Sequence, residues 1–180
     1  MAPVDEALVG SGPTPTAVAG DWSDGVSTML LPTDGSELAR AVATRGLDLA
    51  GQVDAAVHFL SVIDEGRLAA ISDLFDGDGP PDDADERDGA ADHLETLTDL
   101  ARERRLESTA IVRVGDPPTV IVEYADSEGI DLIVLGTAGR GGFERLLMGS
   151  VADRVIRTAP VPVLTIRPPS LSGHKTGERQ

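Results

Sequence analysis

The chain contains no cysteine, a single lysine (Lys175) and no apolar run approaching a membrane span. Without cysteine there are no disulfides, no thiolate nucleophile and no cysteine-ligated zinc, although this does not fix the compartment. A transmembrane helix needs about 20 consecutive apolar residues, so no membrane segment is expected. The opening stretch, MAPVDEALVGSGPTPTAVAGDW, lacks the basic start and sustained apolar core of a secretory leader. A cytoplasmic location is the resulting expectation. The three histidines, His58, His93 and His174, fall on separate segments without metal-ligand spacing, so structural or solvated roles are expected of each. No Ser/His/Asp set stands out, and no internal repeat is visible.

Basic residues are scarce against acidic ones. Fifteen Lys plus Arg face 31 Asp plus Glu, a formal charge of −16. Such a surface repels nucleic acid and anionic lipid, which excludes both as general partners. Acidic excess with almost no lysine fits adaptation to high salt, where screening removes self-repulsion. An acidic protein from a GC-rich genome is the plainer alternative.

A length of 180 residues suits one domain with a real core. Residues 1–24, rich in Ala, Gly, Pro and Thr, read as a disordered extension, and 168–180 as a flexible tail. Between them strands alternate with helices. Strands are expected at 26–32, 55–63, 108–114, 132–136 and 161–167. The first helix is expected over 36–50, with Leu38, Ala39, Val42, Ala43, Leu49 and Ala50 as its apolar stripe. The second is expected over 85–106, with Leu94, Leu97 and Ala101 inward. Asp116 is expected to cap a third helix that opens on Pro117 and Pro118, where missing N–H groups do no harm. Residues 76–89, DGDGPPDDADERDG, read as an acidic solvated loop. A calcium-loop reading fails there, since Pro80 occupies a ligand position and no glycine follows it. Alternation of this kind implies a parallel sheet with helices on both faces.

The densest signal lies in residues 131–167, DLIVLGTAGRGGFERLLMGSVADRVIRTAPVPVLTIR: strand, glycine loop, helix, strand. Gly136, Gly139, Gly149 and Ser150 fit G-x2-G-x9-G-[S/T]. Glycines let backbone N–H groups approach an anion closely. The loop feeds a helix whose first N–H groups are unpaired and whose macrodipole favours negative charge. Ser150 and Asp153 are placed as a capping box for that helix. On these residues alone a phosphate cradle and a ligand-free glycine turn weigh equally.

This segment closely resembles the nucleotide-binding signature of universal stress proteins. MLLPTDGSELA (29–39) resembles the family's first strand and following loop, and AAVHFLSVIDEG (55–66) its second strand. The resemblance covers about residues 25–167 and implies a five-stranded parallel sheet in the order 3-2-1-4-5. In such sheets ligands lie beyond the strand C-termini, where the order reverses. Here that is between strands one and four. Family members with the glycine pattern tend to bind ATP. The resemblance therefore implies an ATP site, with AMP or another adenine nucleotide as alternatives and Mg²⁺ as companion.

Its residues follow by position. Pro32, Thr33 and Asp34 form one lip, with Asp34 beside the ribose or organising a cation. An ordinary turn aspartate is the competing reading, since Asp-Gly favours turns. Val62 matches the adenine-contacting position, although a strand valine is ordinarily core. Gly136, Thr137, Gly139, Arg140, Gly149, Ser150 and Val151 form the phosphate and ribose cradle. Arg140 reads equally as charge partner and as solvated loop arginine. Ala138 stands where relatives often carry a polar side chain. Nothing marks Glu144 or Arg145 as a catalytic base.

Relatives dimerise through the last strand, which is apolar and expected at a sheet edge; exposed edges invite pairing. Residues 161–167 are thus the expected homodimer interface, with Pro160 and Pro162 limiting its ladder. The resemblance implies a homodimeric, nucleotide-dependent regulator of stress response acting on an unknown protein client. At most slow ATP hydrolysis or self-phosphorylation is expected, because no nucleophile or metal-ligand set is identifiable. A nucleotide-free interaction protein of the same fold is the alternative. Other α/β enzymes fit worse. The chain has no GxxxxGK[ST], no GxGxxG after strand one, and PTDGSE where an ATP-pyrophosphatase wants an SGGxDS-like loop. A receiver domain would need an acidic pair and a late lysine, and both are missing.

Overall fold

The computed structural model describes residues 25–64, 83–137 and 149–167. The expected extension at 1–24, the tail at 168–180 and residues 76–82 of the acidic stretch lie outside them. In chain order the elements are β1 (Thr28–Thr33), α1 (Glu37–Val53), β2 (Ala56–Ile63), α2 (Asp83–Glu103), β3 (Ser108–Val114), α3 (Pro117–Ser127), β4 (Leu132–Gly136), α4 (Ser150–Thr158) and β5 (Val163–Ile166). The strands form one parallel sheet in the order β3-β2-β1-β4-β5.

Period-2 alternation divides the strand side chains between two cores. Met29, Leu31, Val57, Phe59 and Val134 face α1 and α2, meeting Val42, Leu47, Leu94 and Leu97. Leu30, Leu60, Ile133 and Leu135 face α3 and α4, meeting Ile121, Tyr124 and Val155. The sheet is therefore covered on both faces, which is why LIVLG in β4 is an unbroken apolar run. Among the expected inward residues of α2, Leu94, Leu97 and Ala101 are all buried.

Several boundaries differ from expectation. The first strand begins two residues later and passes through Pro32 to Thr33. Helix α1 extends to Val53 and stops at Asp54, a left-handed residue (φ 57°) whose N–H bonds to Ala50 O. Its buried face includes Gly46 and Leu47, which the expected stripe omitted, whereas Leu38, Ala39 and Leu49 are half-buried. The acidic stretch is not all loop, because residues 83–89 belong to α2. That helix starts two residues past Pro81, and acidic residues are favoured in a first helical turn. The fifth strand is four residues long, since Pro160 and Pro162 shorten its start.

One carboxylate ties the N-terminal ends of the two central strands together. Asp131 accepts bonds from Ser27 N (2.9 Å), Ser27 Oγ (2.7 Å) and Thr28 N (2.9 Å). Burial pushes this carboxyl up, but the Ser27 and Thr28 bonds outweigh it and hold the group below its ordinary range.

Candidate functional site: the crevice between β1 and β4

The sheet reverses its strand order between β1 and β4, and there its ladder is shortest. Hydrogen-bonded register covers only Met29↔Leu132 and Leu30↔Ile133. The cause lies in the sequence. Ser27 O accepts from Ala56 N beside β2, and Thr28 O accepts from Asp131 N beside β4. Continuing that alternation points the backbone of residues 30 and 32 toward β4. Residue 32 is proline and has no N–H, so the next ladder bond, to Val134 O, has no donor. The two strands run on without it to Thr33 and Gly136, which are level by register.

Beyond β1 the chain turns sharply. Gly35 takes φ 75°, a left-handed value that glycine adopts without strain. Asp34 Oδ1 accepts from Ser36 N at 3.0 Å, and Ser36 Oγ caps α1 by accepting from Ala39 N at 3.1 Å. The turn reading of Asp34 is thus correct as far as one carboxylate oxygen. Thr33 is buried, with Oγ1 2.6 Å from His93 Nε2 and 3.3 Å from the Gly35 amide that donates to it.

The other lip is held by two backbone bonds. Thr137 N donates to Ile166 O at 3.1 Å, and Gly149 N donates to Thr137 O at 2.9 Å. The second bond brings the end of β4 to the start of α4, so Gly136, Thr137, Gly149, Ser150 and Val151 converge. Gly139 and Arg140 lie outside the described residues, as do Ala138, Glu144 and Arg145. Val62 lies one residue past Ser61, which pairs with Thr33, and is therefore level with Asp34 on β2. It is half-buried against the α3 and α4 core. Val151 likewise packs against that core, leaving its amide as the group it can offer.

The expected capping box is absent. Gly149, at φ −60° and ψ 149°, is the N-cap, and Ser150 is already the first helical residue. Asp153 instead takes both Nε and Nη2 of Arg157, at 3.0 and 2.9 Å. The Arg157 hydrogen bonds hold the Asp153 carboxyl below its ordinary range against a smaller effect of burial. Among the described residues no side chain caps α4, which leaves its first amides able to meet an anion. Gly149 has a backbone conformation open to any residue, so φ does not demand a glycine there.

Two further side chains make contacts that the sequence did not assign to them. Asp116 caps α3 by position without a capping bond, and accepts from Thr119 Oγ1 (2.6 Å) and Arg154 Nη1 (3.1 Å). The Thr119 bond, then Arg154, lowers its carboxyl against burial. This pair links the first turn of α3 to α4. His93 was expected to be structural or solvated, and it has a structural contact, with Nε2 against Thr33 Oγ1. Its one available signal is helical: it stands four residues before the buried Leu97, at the margin of the inward stripe. No cluster of His, Cys, Asp and Glu suited to a metal occurs among the described residues. No described helix is long and apolar enough to cross a membrane.

Comparison with known proteins agrees with this architecture. The universal stress protein family model matches residues 25–167. Universal stress protein MJ0531 of Methanocaldococcus jannaschii is 33% identical over 150 residues, covering 78% of this chain and 82% of its own. Among solved structures, MJ0577 of the same organism superposes with TM-score 0.67 at 26% identity, over 79% of this chain and 96% of its own. The Archaeoglobus fulgidus universal stress protein, solved in complex with dAMP, gives TM-score 0.57 at 23% identity, over 79% of this chain and 98% of its own.

Proposed function

The chain belongs to the universal stress protein family, and from that premise we propose that it binds an adenine nucleotide in the β1–β4 crevice. The observation that carries this reading is the Gly149–Thr137 bond, which sets the uncapped start of α4 across from the seam that Pro32 leaves open. Free amides at a helix start favour phosphate, and the macrodipole adds to them. Backbone donors also answer the electrostatic difficulty, because an anion must bind to a chain of charge −16. A neighbour of the same fold holds dAMP, which supports the adenine nucleotide class.

In this reading the phosphates lie against Gly149, Ser150 and Val151, with Gly136, Thr137, Gly139 and Arg140 completing the cradle. Pro32, Thr33 and Asp34 line the opposite lip, and Val62 borders the base. ATP is the proposed ligand, with AMP the simpler alternative. Mg²⁺ would be shared between the phosphates and Asp34, where it would neutralise charge. The proposed role is a nucleotide-dependent regulator in stress response, with at most slow hydrolysis. The proposed assembly is a homodimer through β5, an edge strand with Leu164 39% exposed.

Calorimetric titration with ATP and Mg²⁺, and separately with AMP, tests the reading. Molar KCl keeps the acidic surface screened. Saturable uptake of one nucleotide per chain is expected. A folded sample that takes up neither would favour the nucleotide-free interaction protein.

A further inference from the structure

Thr33 ends β1 as a buried polar residue. A buried hydroxyl is costly without partners, and two are present. The Gly35 amide donates to Oγ1, and His93 Nε2 lies 2.6 Å from it. These bonds continue into the turn, because Gly35 carries the positive φ that reverses the chain. Asp34 then closes on Ser36 N. An uninterrupted series thus runs from the ring of His93, through Thr33, into the turn that carries Asp34.

His93 belongs to a distant element. Helix α2 sits over β2 and β3, on the side of the sheet away from β4. Its ring reaches back to the end of β1, 60 residues earlier in the chain. With one Oγ1 lone pair taken by Gly35, Thr33 meets the ring by donating its proton or by accepting on the other lone pair. Either arrangement gives Thr33 Oγ1 a second partner besides the Gly35 amide and fixes the direction of its proton.

We propose that His93 is a positioning residue of the crevice, holding the turn of residues 33–35, and with it the Asp34 carboxylate, through Thr33. The proposal rests on the reading of this crevice as the nucleotide site. The full-length chain is compared with His93→Leu, His93→Gln, Thr33→Val and the His93→Leu/Thr33→Val double variant. ATP affinity comes from calorimetry, thermal midpoint from circular dichroism, and Gly35 amide exchange without nucleotide from NMR. His93→Leu is expected to weaken ATP about five- to tenfold, the size of one lost buried hydrogen bond. Gly35 exchange should accelerate by a similar factor. His93→Gln, which keeps a donor and an acceptor, should stay within about twofold of wild type. Thr33→Val should resemble His93→Leu, and the double variant should be no weaker than either single, since both break one series.

A merely structural role would lower the thermal midpoint and leave the affinity of the folded protein at its wild-type value, and that result overturns the proposal. So do losses that multiply in the double variant, or unchanged Gly35 exchange in His93→Leu. Wild-type protein that binds no nucleotide overturns the crevice reading and this proposal with it. Accelerated Gly35 exchange in His93→Leu would then mark the fault as lying in the ligand and not in the turn.

Discussion

Helix α1 contains two glycines five residues apart whose replacement by alanine should change stability in opposite directions. Gly46 is buried against β1, and a Cβ built there would lie 2.4 Å from Leu31 Cδ2 and 3.1 Å from Cγ. Normal carbon contacts are about 3.5–4.0 Å, so Leu31 has to move. It is 1% exposed and shares its core with Met29, Val42 and Leu47, which leaves it little room. Overpacking of this kind costs about 1–3 kcal/mol. Alanine recovers about 1 kcal/mol in helix propensity. Gly46→Ala should therefore lose up to about 2 kcal/mol. At Gly51 a new Cβ meets nothing within 4 Å. Gly51→Ala should gain about 0.5–1 kcal/mol from propensity alone. For a domain of this size each kcal/mol moves the thermal midpoint by about 2–4 °C, so the variants should separate by several degrees around wild type. Urea titration provides the free energies. Adding Leu31→Val to Gly46→Ala should cost less than the sum of the two single changes, because the smaller side chain vacates the contested space. Stabilisation by Gly46→Ala equal to that of Gly51→Ala would refute the packing argument.

Further expectations concern the site, the acid limit and assembly. Gly149→Leu should abolish ATP binding in calorimetry while leaving the circular dichroism spectrum unchanged, because the side chain would enter the phosphate space; unchanged affinity would move the site elsewhere. Asp131→Ala should cost about 1–2 kcal/mol in urea unfolding through loss of its charge-assisted bonds. The Asp131 carboxyl is held low in the folded state, so its contribution is full above the unfolded value near pH 4 and fades as pH falls through the folded one. Asp131→Asn should therefore lose less stability than wild type between pH 5 and 2, and parallel pH profiles would contradict this. Leu164→Lys should shift the protein toward monomer in analytical ultracentrifugation if β5 pairs two chains, and an unchanged mass would count against that interface.

Much of the architecture was legible because its signals are local. The apolar run LIVLG and the proline-opened helix at Pro117 fall where the sequence puts them, and β3 and β4 match residue for residue. The glycine spacing marked which strand and helix would meet, and Thr137 and Gly149 do meet. What escaped depends on distance or on competition between partners. Ser150 and Asp153 have the spacing of a capping box, but Arg157 lies one turn further on and takes the carboxylate. Gly46 was left out of the apolar stripe, because its burial depends on Leu31 occupying the space a side chain would fill. The His93–Thr33 and Arg154–Asp116 contacts join elements far apart in sequence, where no periodicity reports them. Pro32 was read as a pocket lining, and the amide proton it lacks, which shortens the β1–β4 ladder, was not considered.

The bond between Gly149 and Thr137 also bears on how this chain can vary. It closes the ends of residues 138–148 onto each other, and Ile166 secures the junction from β5. The start of α4 is thereby anchored to the sheet independently of what lies between. Thr137, Gly149 and Ile166 therefore constrain one another: a change that lengthens β4 or slides α4 along its axis breaks both bonds at once.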